Sequence, residues 1–218
     1  MSGGPMSEVT TGDPVCSAEH GRVGAIWAQD ASGLLGADGA MLWRVPADFR
    51  HFKAATLGGA LVMGRVTWES LAGALTGRRN IVLTHRQGWG APGALGAETL
   101  PAALDRAHAA LAGMGPDPRE GRYRRLPRVW VIGGGSVYAQ ALRSGVLDEL
   151  VVSSLDLDAR ERAEAAGIGA ELLVAAPSID PAAWELDAQA GDPPGTWRPV
   201  SGDAAWRVDH WLRRRAAR

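Results

Sequence analysis

Val129-Trp130-Val131-Ile132 runs into Gly133-Gly134-Gly135 and then into Ser136-Val137-Tyr138. An apolar, β-branched run ending in glycines reads as a buried strand. The residues from Ser136 onward read as a helix. A strand passing through glycines into a helix is the unit from which parallel sheets are built. In such sheets, ligands bind beyond the carboxyl ends of the strands. Glycines let the backbone approach a ligand, and the helix start offers unpaired N–H groups and a positive dipole end. A pyrophosphate suits that chemistry. The run is not a G-x-G-x-x-G fingerprint, because Tyr138 stands at the last glycine position. It is equally readable as a tight strand-to-helix turn.

Outward from this stretch the same pattern recurs. Residues 60–64 (ALVMG) form a strand that meets Arg65-Val66-Thr67-Trp68-Glu69-Ser70, with a helix expected over 67–74. Arg65 is a fork donor and Thr67 a hydroxyl donor at that junction, where a phosphate monoester would find a natural partner. The plain alternative is a solvated arginine and a capping threonine. Two such junctions support each other, since a dinucleotide diphosphate needs more than one cradle. Further strands are expected at 23–28 (VGAIWA), 80–84 (NIVLT), 98–99 and 150–153 (LVVS), with helices over 46–57 and 101–111. Residues 29–40 read as a Gly/Asp/Ser loop. Residues 184–190 and 205–212 alternate in polarity around a Gly/Pro-rich stretch, as an antiparallel edge hairpin does. The fold class is therefore α/β: three layers, with a mostly parallel central sheet and an antiparallel C-terminal hairpin. Residues 113–128 and 159–170 look like insertions.

A third strand-end segment, Trp43-Arg44-Val45-Pro46-Ala47-Asp48-Phe49-Arg50-His51-Phe52-Lys53, opens a helix at Pro46, where the missing N–H does no harm. Asp48 and Phe52 are spaced i and i+4 and share a face. Burial there would raise the Asp48 pKa, and the helix start would lower it. The segment admits an ordinary first-turn carboxylate as readily as an acid in an apolar cleft that pairs with a flat, amidine-like heterocycle.

Composition bounds the rest. The chain has 218 residues, a net charge of −1 and one cysteine, Cys16. That argues for one domain at 21–218, against nucleic-acid binding, and against a disulfide framework or thiolate metal site. The five histidines show no metal spacing, and His108 and His210 read as surface positions. No apolar run is long enough to span a membrane. Residues 1–20 are Gly-, Ser- and acid-rich, lack a signal-peptide core, and read as a disordered tail. A cytoplasmic, monomeric protein is expected.

Taken together, W-x-x-P-x-D-x-x-x-F, M-G-R-x-T-W-E-S and I-G-G-G-x-x-Y, in this order, resemble dihydrofolate reductase from about Val23 onward. The resemblance implies NADPH as cofactor and dihydrofolate as substrate. It implies that Asp48 holds the pterin and promotes its protonation, with Ser153 hydrogen-bonded to the acid and Trp43 ordering a water beside the pterin. Met41 would sit on a loop that closes over the nicotinamide. Ile26, Phe49, Phe52, Leu71, Leu75, Ile132 and Tyr138 would line the substrate pocket, and Arg78 would grip the glutamate tail. Ala28 and Leu35 would meet the nicotinamide carboxamide. Gly64, Thr67, Gly133, Gly134, Gly135, Ser136 and Val137 would hold the diphosphate, and Arg65, Val66, Thr84, His85 and Arg86 would surround the 2′-phosphate. The family has a cis peptide at the position of Gly133-Gly134. No metal is implied.

Four departures stand out. Leu42 replaces the usual proline, Ser153 the usual threonine, Val66 a position that is sometimes a second cation for the 2′-phosphate, and Ala170-Glu171 a Gly-Asp pair that often latches the closing loop, with Glu171 as its available substitute. Two rivals remain at this level: a sister pyrimidine or pterin reductase, and a non-catalytic NADPH- or folate-binding paralogue.

Overall fold

A computed structural model describes residues 21–214. The expected tail, 1–20, lies outside the described residues. The apolar runs pair as a sheet. Strands β1 (Val23–Gln29), β3 (Ala60–Gly64), β4 (Arg79–Leu83), β5 (Ala94–Ala97), β6 (Val129–Val131) and β7 (Glu149–Leu155) all run parallel, in the order β7-β1-β6-β3-β4-β5. Leu61, Val62, Ile81, Val129 and Trp130 are buried, as expected for strands covered on both faces. On one side lie helices α3 (Leu100–Ala112) and α4 (Gly135–Ser144), with Leu104, Ala107, Val137 and Ala141 in one core. On the other lie α1 (Pro46–Thr56), α2 (Arg65–Ser70) and α5 (Ala159–Ala165), with Ala55, Trp68 and Ala159 in a second core. The three-layer α/β sandwich with a mostly parallel sheet is what the sequence led us to expect.

Several boundaries differ for physical reasons. The fourth strand of the parallel set is Ala94–Ala97, not 98–99. Thr99 instead caps α3, its hydroxyl accepting from the Ala102 N–H at 3.3 Å. The helix expected over 67–74 is α2, which begins at Arg65 and ends at Ser70.

The stretch read as loop, 29–40, contains β2 (Leu34–Ala37). This strand pairs antiparallel with β8 (Leu173–Ala175) in a separate two-stranded sheet. Buried Asp30 shapes this segment. Its carboxylate accepts from Ser32 N, Leu34 N and, from α5, Ala159 N. The Asp-x-Ser-Gly pattern at 30–33 was the available signal for this turn.

The C-terminal hairpin is also redistributed. Strand β11 (Ala204–Arg213) pairs antiparallel with β7 along its length. Its hairpin partner is β10 (Arg198–Ser201), inside the stretch read as Gly/Pro-rich connection. The run at 184–190 supplies only β9 (Trp184–Leu186), which pairs with the far end of β11. His210, read as a surface position, is buried on β11 beside Glu149, because β11 is covered by β7 and its neighbours rather than lying at an open edge.

Candidate active site

The carboxyl ends of β1, β3, β4 and β6 open into one cleft of about 1510 Å³. The α1 helix forms one wall. Its N-cap residue, Val45, offers no side-chain cap, and the N–H of Ala47 is satisfied by the Ser201 hydroxyl at 3.0 Å. That serine sits on the β10–β11 turn. The preceding residue pair is clasped by the same turn: Arg44 N donates to the Asp203 carboxylate (2.7 Å), and Asp203 N donates back to Arg44 O (3.0 Å). Gly202 must be glycine here, since it has a φ of 71° and a Cβ would stand 2.2 Å from Arg44 O.

This frame places Asp48 in the first turn of α1, buried but facing the cleft. Burial raises its pKa above the ordinary carboxylate range, opposed by a hydrogen bond from Ser153 and the charge of Arg198. Ser153 lies on β7, paired in register with Ala28 on one side and Val208 on the other. Phe49 and Phe52 flank the acid along the same wall. Beyond Phe52, Arg78 donates to the Thr56 hydroxyl (3.2 Å), and its guanidinium carbon lies 5.8 Å from the centre of the Phe52 ring. Burial lowers the Arg78 pKa. Leu71, Leu75, Ile26 and Ile132 complete an apolar surround.

The other half of the cleft is backbone-rich. Gly64 N donates to Gly133 O at 2.7 Å, tying the ends of β3 and β6 together. The N-cap of α4 is Gly134, which has no side chain to satisfy the helix-start N–H groups. A Cβ on Gly134 would meet the Thr67 hydroxyl at 3.2 Å, and one on Gly135 would meet Val174 at 2.8 Å. The peptide between Gly133 and Gly134 is cis, as the resemblance led us to expect. Buried Tyr138 sits behind this turn and donates to Ile26 O at 2.7 Å. A concave, glycine-lined helix start with open N–H groups is built for an anion such as a diphosphate. Arg65, Val66, Thr84, His85 and Arg86 stand at the cleft's far rim. Arg65 pairs there with Glu69 at 2.5 Å, one helical turn on.

All residues expected in the site line this one cleft except Ser153, which is buried beside Asp48 and lowers its pKa. Met41 and Trp43 line it too, Met41 exposed and Trp43 buried. Sequence reasoning missed the roof. The β2–β8 sheet brings Gly36, Ala37 and Val174 over the cleft, held by Asp38 N to Leu172 O (3.1 Å) and Ala176 N to Gly33 O (2.7 Å). This backbone ladder fixes residues 33–38 against residues 172–176, and Glu171 is exposed. Leu42 O accepts from Arg162 of α5 at 3.4 Å, and Arg162 also pairs with Asp203 at 3.0 Å. Among the described residues no group of His, Cys, Asp or Glu could hold a metal ion, and no helix is long and apolar enough to cross a membrane.

Fold and site together define a ligand-binding α/β protein with an anion cradle on one side of a buried acid. The family model described as dihydrofolate reductase matches residues 22–192. The chain belongs to the dihydrofolate reductase family. It is 42% identical to the dihydrofolate reductase of Mycobacterium tuberculosis over 123 residues, 55% of this chain and 64% of that protein. It is 40% identical to that of Mycobacterium leprae over 123 residues, 55% of this chain and 65% of that one. The matches thus span just under two thirds of these relatives. Among solved structures it resembles dihydrofolate reductase from Enterococcus faecalis complexed with NADP(H) and RAB-propyl. The TM-score is 0.67 and the identity 25%, covering 90% of this chain and 98% of that one.

Proposed function

We propose that this protein reduces 7,8-dihydrofolate to 5,6,7,8-tetrahydrofolate with NADPH. The observation that carries this reading is Asp48: a buried carboxyl in an apolar cleft, with Arg78 at one end of its wall and a glycine-lined anion cradle across from it.

Each group has a task in that reaction. Asp48 accepts hydrogen bonds from the 2-amino group and nitrogen 3 of the pterin. Its raised pKa suits support of a proton at nitrogen 5, which makes carbon 6 a better hydride acceptor. Ser153 orients the carboxyl. Trp43 orders a water beside the pterin, and Phe49 and Phe52 flank the flat rings along the α1 wall. Arg78 takes the carboxylate of the glutamate tail with a planar fork, which favours folate over a bare pterin. NADPH, when bound, supplies the hydride. Gly64, Thr67 and Gly133 through Val137 fit its diphosphate; Ala28 and Leu35 offer backbone groups to its carboxamide; Arg65, Thr84, His85 and Arg86 fit its 2′-phosphate. Met41 and the β2–β8 roof cover the reacting rings.

The same reading has the protein acting as a cytoplasmic monomer without nucleic acid. The net charge of −1 agrees with the last point, and light scattering on the eluted protein tests the oligomeric state. The decisive experiment is a steady-state assay with purified protein, NADPH and dihydrofolate, following absorbance loss. Turnover supports the reading. NADPH oxidation only with a tail-less pterin or a pyrimidine substrate would replace it with a sister reductase. Ligand binding without turnover with any of these would replace it with a binding protein.

A further inference from the structure

The α1 helix is unusual in its support. Its front, with Asp48, Phe49, Phe52 and Lys53, lines the open cleft. Its position therefore depends on what holds its back and its ends. Segment 113–128, which contributes nothing to the lining of the cleft, supplies much of that hold.

Arg119 is the centre of it. Its side chain is only 1% exposed, and every donor nitrogen of its guanidinium is used. Nε and Nη2 bind the Asp117 carboxylate at 2.8–3.2 Å. Nη2 also donates to Leu126 O (3.0 Å), and Nη1 donates to Pro127 O (2.7 Å) and Ala55 O (2.9 Å). Ala55 lies in the last turn of α1, where carbonyls lack intrahelical partners. Gly59 N, which could have served it, goes to Thr56 O instead. Arg119 is thus the C-terminal cap of α1, delivered from a distant segment. Arg128 and Pro118 continue the hold: Arg128 donates to Gly58 O at 2.7 and 3.1 Å, and Pro118 packs on Gly58. One turn earlier in α1, Tyr123 meets His51. Its hydroxyl lies 3.1 Å from Nδ1, and the rings are 5.6 Å apart. His51 is buried and packs its other side against Trp206.

The two attachments bracket the site. His51 is one turn from Asp48 on the same helix. Ala55 adjoins Thr56, whose hydroxyl receives Arg78. We infer that segment 113–128 is a brace for the substrate wall, with Arg119 and Tyr123 as positioning residues that fix α1 from behind. This rests on the dihydrofolate reading above.

The test compares the intact wild-type chain with Arg119→Met and Tyr123→Phe. KM for dihydrofolate should rise about tenfold in the first and about threefold in the second, from one or a few lost hydrogen bonds at α1. The NADPH dissociation constant, read by quenching of tryptophan fluorescence, should stay within about twofold, because α4 and β3 are untouched. A purely structural role would lower the melting temperature and the active fraction while leaving KM unchanged in both variants, and that result would overturn the brace. If Arg119→Met does not fold, Tyr123→Phe alone decides: an unchanged KM overturns it. Inactive wild-type protein would sink the functional reading itself, a failure visible before any variant is made.

Discussion

Ser153 in the middle of β7 and Asp48 in the first turn of α1 are buried together, and the Ser153 hydroxyl favours the ionised Asp48 carboxyl. This pairing relates the sheet's parallel body to the substrate wall, and it opposes the rise that burial imposes on the Asp48 pKa. Ser153→Ala removes that opposition, so the Asp48 pKa rises further. If a protonated site favours hydride transfer, the alkaline fall in the single-turnover rate should move to higher pH in Ser153→Ala. An unmoved limb would separate Ser153 from the acid.

Asp48→Asn should lower hydride transfer at neutral pH by about a hundredfold or more, the usual scale for loss of a general acid. It should also make the protein more stable there. A carboxyl whose pKa is higher folded than unfolded binds protons more readily in the native state. Stability is therefore lost as pH rises from the ordinary carboxylate range through the raised pKa. The neutral amide escapes that loss. Melting curves should show Asp48→Asn above wild type at pH 7, with the gap closing in acid. Equal melting temperatures at both pH values would contradict the burial argument.

Arg78→Leu should raise KM for dihydrofolate by about tenfold to a hundredfold, the worth of a charge-assisted pair. A tail-less dihydropterin should be nearly unaffected. Parallel losses for both substrates would remove Arg78 from tail recognition.

Arg65→Ala should weaken NADPH more than NADH, since only the former carries a 2′-phosphate. Arg65 is already paired with Glu69, so the difference should shrink as ionic strength rises. Parallel changes in the two cofactors would place the selectivity elsewhere on the rim.

His51 gives a stability prediction. Burial first, then the charges of Arg198, Arg122 and His210, lower its pKa from 6.5 to about 3, with Asp192 pulling weakly the other way. A histidine depressed on folding takes up its proton more readily when unfolded. Stability should therefore decline as pH falls below 6.5 toward 3. His51→Gln should flatten that decline in denaturant titrations. An identical acid slope in the variant would reassign the effect to another group.

Local pattern alone determined much of this protein. Strands β1, β3, β4, β6 and β7 were readable as short apolar runs because both faces of a parallel sheet are buried, which leaves no alternation to confuse them. The glycines at 133–135, Pro46 and the acid at Asp48 were readable because turn geometry, helix entry and charge are local properties. Tertiary structure alone decided the rest. Nothing local distinguishes Asp48 from any helix-start acid; its burial comes from Ser153 and the apolar walls, brought together by β7 and β1 pairing in register. The short strands β2 and β8 exist because each completes the other's hydrogen bonds from far along the chain, and the Gly/Pro-rich stretch before it hid β10. Arg119 and His210 look like surface residues by type. They are buried because carbonyls far along the chain, or a neighbouring strand, surround them, and a sequence pattern cannot hold that information.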